Sequence, residues 1–176
     1  MKRKIICMML LLVCVMAIAT GCSSNQTQNT AVVRIHIRAN SNSEKDQNVK
    51  YLVREKVIEY VTPLLIDADT VDRAKEILNM HLSDIKRVAD IVLKDNNFDY
   101  DSSVKLNNEF FPTRSYSGKV FEADYYDALI VNLGTGAGDN WWCVVYPPLC
   151  FSECNTSNKV VYISKVWEII SKYFGG

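Results

Sequence analysis

Cysteine, histidine and carboxylate are the residue types with chemistry to offer in this chain, and few of them are spaced to use it. Cys143, served by His36 and an Asn or Asp, would make a thiol hydrolase in which the imidazole takes the thiol proton. Cys143, however, sits inside the apolar run Trp141-Trp142-Cys143-Val144-Val145-Tyr146, whereas activated thiols occupy electropositive, partly open settings. Asp124, Asp127 and Asp139 are carboxylates that a paired acid–base mechanism would use. No spacing forces two of them together, and Asp124 and Asp127 read as a solvated turn before a strand. Gly134-x-Gly136-x-Gly138 resembles a phosphate loop only in its glycines. It lacks the following Lys-Ser/Thr and leads into a strand rather than a helix, so it reads as a flexible strand connection. Neither His36 nor His81 stands at ligand spacing from the cysteines, so no metal and no cofactor is implied.

Contact chemistry is better represented. Arg34, His36 and Arg38 alternate with Val33, Ile35 and Ile37, which places the three basic groups on the polar face of one strand. That face is either solvated, paired with carboxylates, or a strip that meets a partner or anionic lipid. His36 titrates near neutrality and would make such a contact pH-sensitive. Trp141 and Trp142 are adjacent, so on a strand they point to opposite faces: one to a core, the other to a second layer or a partner. Arg114 either caps within the domain or anchors a contact, since Arg and Trp are frequent hot-spot residues. The surface expected to meet a partner joins the Gly134–Gly138 connection to the Tyr146–Leu149 turn. It holds Asn140, Trp141, Trp142, Pro147 and Pro148, with Arg114 nearby and the Arg34/His36/Arg38 strip as the next choice.

The elements that must position these groups follow from periodicity. Residues 32–38 alternate and form a half-buried strand. Ser43, with Asp46 three residues on, is a helix N-cap. Val49, Leu52, Val53, Val57, Tyr60 and Val61 make an apolar helical stripe that Pro63 ends. A second helix starts near Asp69-Thr70 and runs to Asn96-Asn97, with His81 on its apolar face as a core histidine. Residues 104–110 alternate as a strand. Residues 128–133 and 141–146 are near-continuous apolar runs and read as central strands joined by a hairpin-like connection. Val160–Ile163 adds a short strand or enters a last helix bearing Val166, Trp167, Ile170 and Phe174. The order β-α-α-β-β-β-α predicts an α+β domain, with helices on one face of a mostly antiparallel sheet.

The N-terminus reads as an export signal. Lys2-Arg3-Lys4 precedes an uncharged apolar stretch from Ile5 to Ala19, too short to span a bilayer comfortably. Ala19-Thr20-Gly21-Cys22 then reads as a lipobox, with Cys22 the lipid acceptor. Residues 1–22 are thus the signal segment, 23–31 a polar tether, and 32–176 one domain. Without the three leader cations the 20 basic residues fall to 17 against 20 acidic, a net charge near −3 that argues against nucleic acid. In the exported domain Cys143 and Cys150 flank the Pro147-Pro148 turn. They are either a disulfide or two buried thiols, with Cys154 left over.

Several of these stretches resemble the stage II sporulation protein R family. The residues that carry the likeness are Phe111-Pro112-Thr113, the glycine-rich turn, and Asn140-Trp141-Trp142-Cys143 leading into Pro147-Pro148-Leu149-Cys150. Upstream, Arg34-Ile35-His36-Ile37-Arg38-Ala39-Asn40-Ser41-Asn42-Ser43 resembles the family's opening strand and Ala-Asn-Ser turn, followed by the first helix. The match covers residues 32 to 151. The resemblance implies a signal rather than a catalyst: a protein exported from the forespore that triggers a membrane-embedded aspartic protease of the mother cell. That protease matures an early mother-cell sigma factor. A lipid-anchored extracytoplasmic hydrolase using Cys143 or carboxylates is the alternative.

Overall fold

A computed structural model describes residues 32–116 and 118–150. The leader with Cys22, the tether, Cys154 and the expected last helix lie outside the described residues.

The chain opens with strand β1 (Val33–Arg38) and passes through three helices, α1 (Glu44–Leu65), α2 (Val71–Met80) and α3 (Leu82–Asp95). Strands β2 (Ser102–Phe111), β3 (Arg114–Tyr116), β4 (Lys119–Phe121), β5 (Asp124–Leu133) and β6 (Asn140–Tyr146) follow. The fold is α+β, as the order of elements predicted. Ser43 caps α1, its side chain accepting from Asp46 N at 3.1 Å, and Thr70 caps α2 by accepting from Arg73 N at 3.1 Å. Asn97, at φ 59°, closes α3. Its N–H donates to Lys94 O at 3.0 Å and Phe98 N–H donates to Leu93 O at 3.0 Å, the paired pattern of a left-handed helix stop.

Two helix boundaries differ from expectation. Pro63 lies inside α1, two residues before its end. In the last turn its missing N–H forfeits one intrahelical bond at most, so the helix outlasts it. The long second helix breaks at His81, whose φ of −102° and ψ of 7° interrupt the turn. The apolar stripe continues across the break, which is why the sequence shows none. His81 itself is half-buried rather than a core residue, 3.0 Å from the Tyr60 hydroxyl.

The main sheet runs β2-β5-β1-β6. Its β2–β5 and β1–β6 pairs are antiparallel, and the central β1–β5 pair is parallel. Strands β5 and β6 are therefore not hairpin partners, because β1 lies between them. Among the described residues strand β6 is an edge strand rather than a central one. Its apolar run reflects burial on both faces, with a described strand on one side only. Val33, Ile35, Ile37, Cys143 and Val145 join the helices in one core. Val144, Ile130, Tyr126 and Phe111 build a second, smaller core on the opposite face. The β3–β4 ribbon covers that second core with Tyr116 and Phe121.

Candidate functional site

Alternation along β1 sends Arg34, His36 and Arg38 to the face opposite the helices, as their spacing requires. That face is not open. Arg34 has no exposed surface and His36 only 3 %. Glu109 and Phe111 of β2 reach the β1 side chains across the intervening β5. The Arg34 guanidinium lies 4.5 Å from the Phe111 ring centre, 4.8 Å from Tyr126, 5.4 Å from Phe121 and 5.5 Å from Tyr116. Its Nε donates to Cys143 O at 3.2 Å and one terminal nitrogen to the Tyr116 hydroxyl at 3.2 Å. A buried cation held by ring faces and neutral acceptors fixes the ribbon onto the sheet. The strip read as a partner surface is thus mostly an internal clamp.

His36 Nδ1 lies 2.7 Å from Glu109 Oε2, and Arg38 binds the other oxygen of the same carboxylate and Asn132 Oδ1. Burial pushes the imidazole below its usual range, against the hydrogen bonds from Glu109 and Asn140, which hold it up; the Arg38 charge adds to the lowering. Burial raises the Glu109 carboxyl, but the bonds from His36 and Arg38 outweigh it and leave the group low. A histidine whose folded value is lowered leaves the unfolded chain binding more protons below about pH 6.5, so stability falls as pH drops through that value. The expected result is a urea midpoint that declines from pH 6.5 downward, then levels off below the folded value, until the carboxylates begin to titrate. In His36→Gln the upper part of that decline should vanish. An identical slope in the variant would assign it to other groups.

The two tryptophans part as predicted. Trp141 packs on the helix-side core and Trp142 on the second core. Neither is fully buried, because both sit on the edge strand. The Arg114 guanidinium lies 4.6 Å from the Trp142 ring centre, and that of Arg54, from α1, lies 5.5 Å from Trp141. Asn140 is exposed beside them, whereas Pro147 and Pro148 are buried. Arg54 escaped the sequence reading, since nothing along the chain signals that a helix position will meet a strand residue nearly ninety places away (from 54 to 141).

The glycine-rich connection crosses the end of β1 and interlocks with Ala39–Ser43. Gly138 N donates to Ala39 O at 2.8 Å, Asp139 N to Asn42 Oδ1 at 2.6 Å, and Thr135 Oγ1 to Asn40 O at 3.0 Å. The buried Lys50 donates to Asp139 O at 3.1 Å. Behind them, Asp46 accepts from Ser41, Tyr100 and Asn40. Burial raises its carboxyl, but these bonds and that from Ser43 outweigh the burial and hold it below the ordinary range. The segment is a lock between two distant stretches of chain, not the flexible connection its glycines suggest.

The candidate catalytic groups do not converge. Cys143 stands opposite Ile35 in the register, on the helix side, whereas His36 stands on the other face. Asp127 accepts from Lys75 at 2.9 Å and Asn108 at 3.2 Å, away from Asp139 in the lock. Cys143 and Cys150 are both buried and not bridged to each other, and the Cys150 Sγ donates to Val144 O at 2.8 Å. Among the described residues no three His, Cys, Asp or Glu side chains gather as metal ligands would.

The profile of the family described as stage II sporulation protein R matches residues 29–156. The stage II sporulation protein R of Bacillus subtilis (strain 168) is 31% identical to this chain over 168 residues, covering 90% of this chain and 75% of that protein. No solved structure matches the chain. The matched span takes in the clamp, the lock and both tryptophans, so the family likeness and the geometry fall on the same residues. The chain belongs to the stage II sporulation protein R family.

Proposed function

We propose that this protein is an exported sporulation signal, one that binds a membrane-embedded aspartic protease of the mother cell and switches it on. The consequence is maturation of an early mother-cell sigma factor. The protein acts between the two membranes of the sporulating cell, tethered through a lipid on Cys22. Binding favours the protease's active state over its inactive one, which requires a contact surface and no catalytic group. Family membership supports the sporulation role. The observation that most favours a signal over a hydrolase is the separation of Cys143 and His36 onto opposite faces of the sheet, where no thiol–imidazole pair can form.

Co-expression of this chain with the protease and its precursor substrate tests the reading. Cleavage should require all three, and Cys143→Ser and Asp139→Asn should leave it intact. No cleavage with the wild-type chain would overturn the proposal. Loss of cleavage in a folded, protease-binding Cys143→Ser protein would transfer it to the hydrolase alternative. For the tether, mass spectrometry of the mature protein should find a lipid-modified N-terminal Cys22. An intact leader or a soluble form starting elsewhere would exclude the anchor.

A further inference from the structure

Among the described residues strand β6 is an edge strand, and two of its carbonyls already have donors. The Tyr116 hydroxyl donates to Trp142 O at 3.0 Å, and Leu149 N donates to Val144 O at 3.2 Å. What the edge offers is side chains. On the hairpin face the exposed Arg114 lies over Trp142, and among the described residues its only polar contact is its own neighbour's carbonyl, Thr113 O at 3.3 Å. On the helix face Arg54 lies between Trp141 and the exposed Tyr51, and its buried Nε has no hydrogen-bond partner among the described residues. Elsewhere the surface arginines are neutralised: Arg73 by Glu76, Arg87 by Asp84, and Arg38 by Glu109. Among the described residues, no carboxylate lies within ion-pair distance of Arg54 or Arg114.

We infer that this edge is a docking surface for an acidic segment of a partner protein that straddles β6. Its carboxylates pair with Arg54 on one face and Arg114 on the other, over the half-buried indoles of Trp141 and Trp142. Guanidinium groups held over indole rings are placed ready for a planar carboxylate and lose little freedom when it arrives. Aromatic and arginine anchors at the centre of a patch are the residues that dominate binding. The chain's own C-terminal stretch suits the site poorly, since Lys159, Lys165 and Lys172 outnumber Glu153 and Glu168 there. The inference rests on the proposed function for the partner's identity, and it adds the surface and the partner's charge.

The test uses full-length protein and the intact protease in detergent or nanodiscs, measuring affinity and thermal midpoint together. Arg54→Gln and Arg114→Gln should each weaken binding about tenfold and the double variant about a hundredfold, as expected for independent contacts. The control Arg87→Gln should bind as wild type, and binding by the wild type should weaken as salt rises. Thermal midpoints of the arginine variants should stay near wild type. Wild-type affinity in the double variant would overturn the inference while leaving the signalling proposal standing. Absence of binding by the wild-type chain would instead remove the signalling proposal. If the arginine variants lose thermal stability, and Glu153→Gln or Glu168→Gln loses as much, the arginines serve the chain's own C-terminus and the inference fails.

Discussion

Arg34→Ala should lower the unfolding free energy by about 3–5 kcal/mol, the range for emptying a large buried side chain. Four ring faces converge on this guanidinium, and truncation leaves a void beneath the β3–β4 ribbon. It also strips a donor from Cys143 O and from the Tyr116 hydroxyl. Arg34→Met separates shape from charge. No carboxylate lies within ion-pair distance of this cation among the described residues, so an apolar side chain of similar length escapes the desolvation penalty while filling most of the space. The methionine variant should therefore lose less than half of what the alanine variant loses. Arg34→Lys should fall between them, since an ammonium is a compact charge that cannot lie flat against several rings at once. Urea midpoints at neutral pH measure all three, and near-ultraviolet circular dichroism reports whether the rings keep their packing. An alanine variant within about 1 kcal/mol of wild type, less than half the least loss expected for a side chain this buried, would show that the clamp does not hold the ribbon.

Gly138→Ala should be nearly as damaging for the opposite reason. A Cβ there would sit 2.2 Å from Ser41 O and 2.5 Å from Ser41 C, both backbone atoms. Relief requires moving Asn40–Asn42 away from the connection, which breaks the bonds from Gly138 N and Asp139 N. The expected loss is about 3 kcal/mol, at the upper end of overpacking costs, because the obstructing group is main chain rather than a side chain that can turn aside. Gly118→Ala is the contrast. Gly118 has a φ of +79° with no atom within 4 Å of a built Cβ, so only the left-handed backbone is penalised, by about 1 kcal/mol. Similar midpoints for the two variants would mean that the lock opens at little cost.

Alternation and capping made much of this fold legible. Val33, Ile35 and Ile37 could only share a face, and Ser43 with Asp46 could only begin a helix. Periodicity tells which residues share a face, but not what covers it. The Arg34/His36/Arg38 strip looked available because its cover comes from two three-residue strands and from side chains at the Phe111 end of β2 and the Asp124 end of β5, none of which leaves a periodic trace. The apolar run from Trp141 to Tyr146 read as a central strand because burial on both faces gives the same pattern whether or not strands lie on both sides. The placement of β1 between β5 and β6 was equally hidden, since proximity in sequence favoured a hairpin. The candidate site shows the same division. The opposed tryptophans and Arg114 were visible from residue type and adjacency, whereas Arg54 acquires its place only when α1 packs beside β6.

Ile35 stands opposite Cys143 in the register of β1 and β6, and opposite Leu129 in that of β1 and β5. The first described strand is thus completed by the last two of the described sheet, and closure of a loop from Ile35 to Cys143 precedes those contacts. A chain halted before residue 124 leaves β1 without either neighbour, and one halted before residue 140 leaves its second edge bare. Neither product is a weaker version of the domain; each lacks a finished sheet and exposes apolar strand to proteases and to other chains. A sheet in which both edges of β1 are paired therefore exists only in a chain that reaches Tyr146.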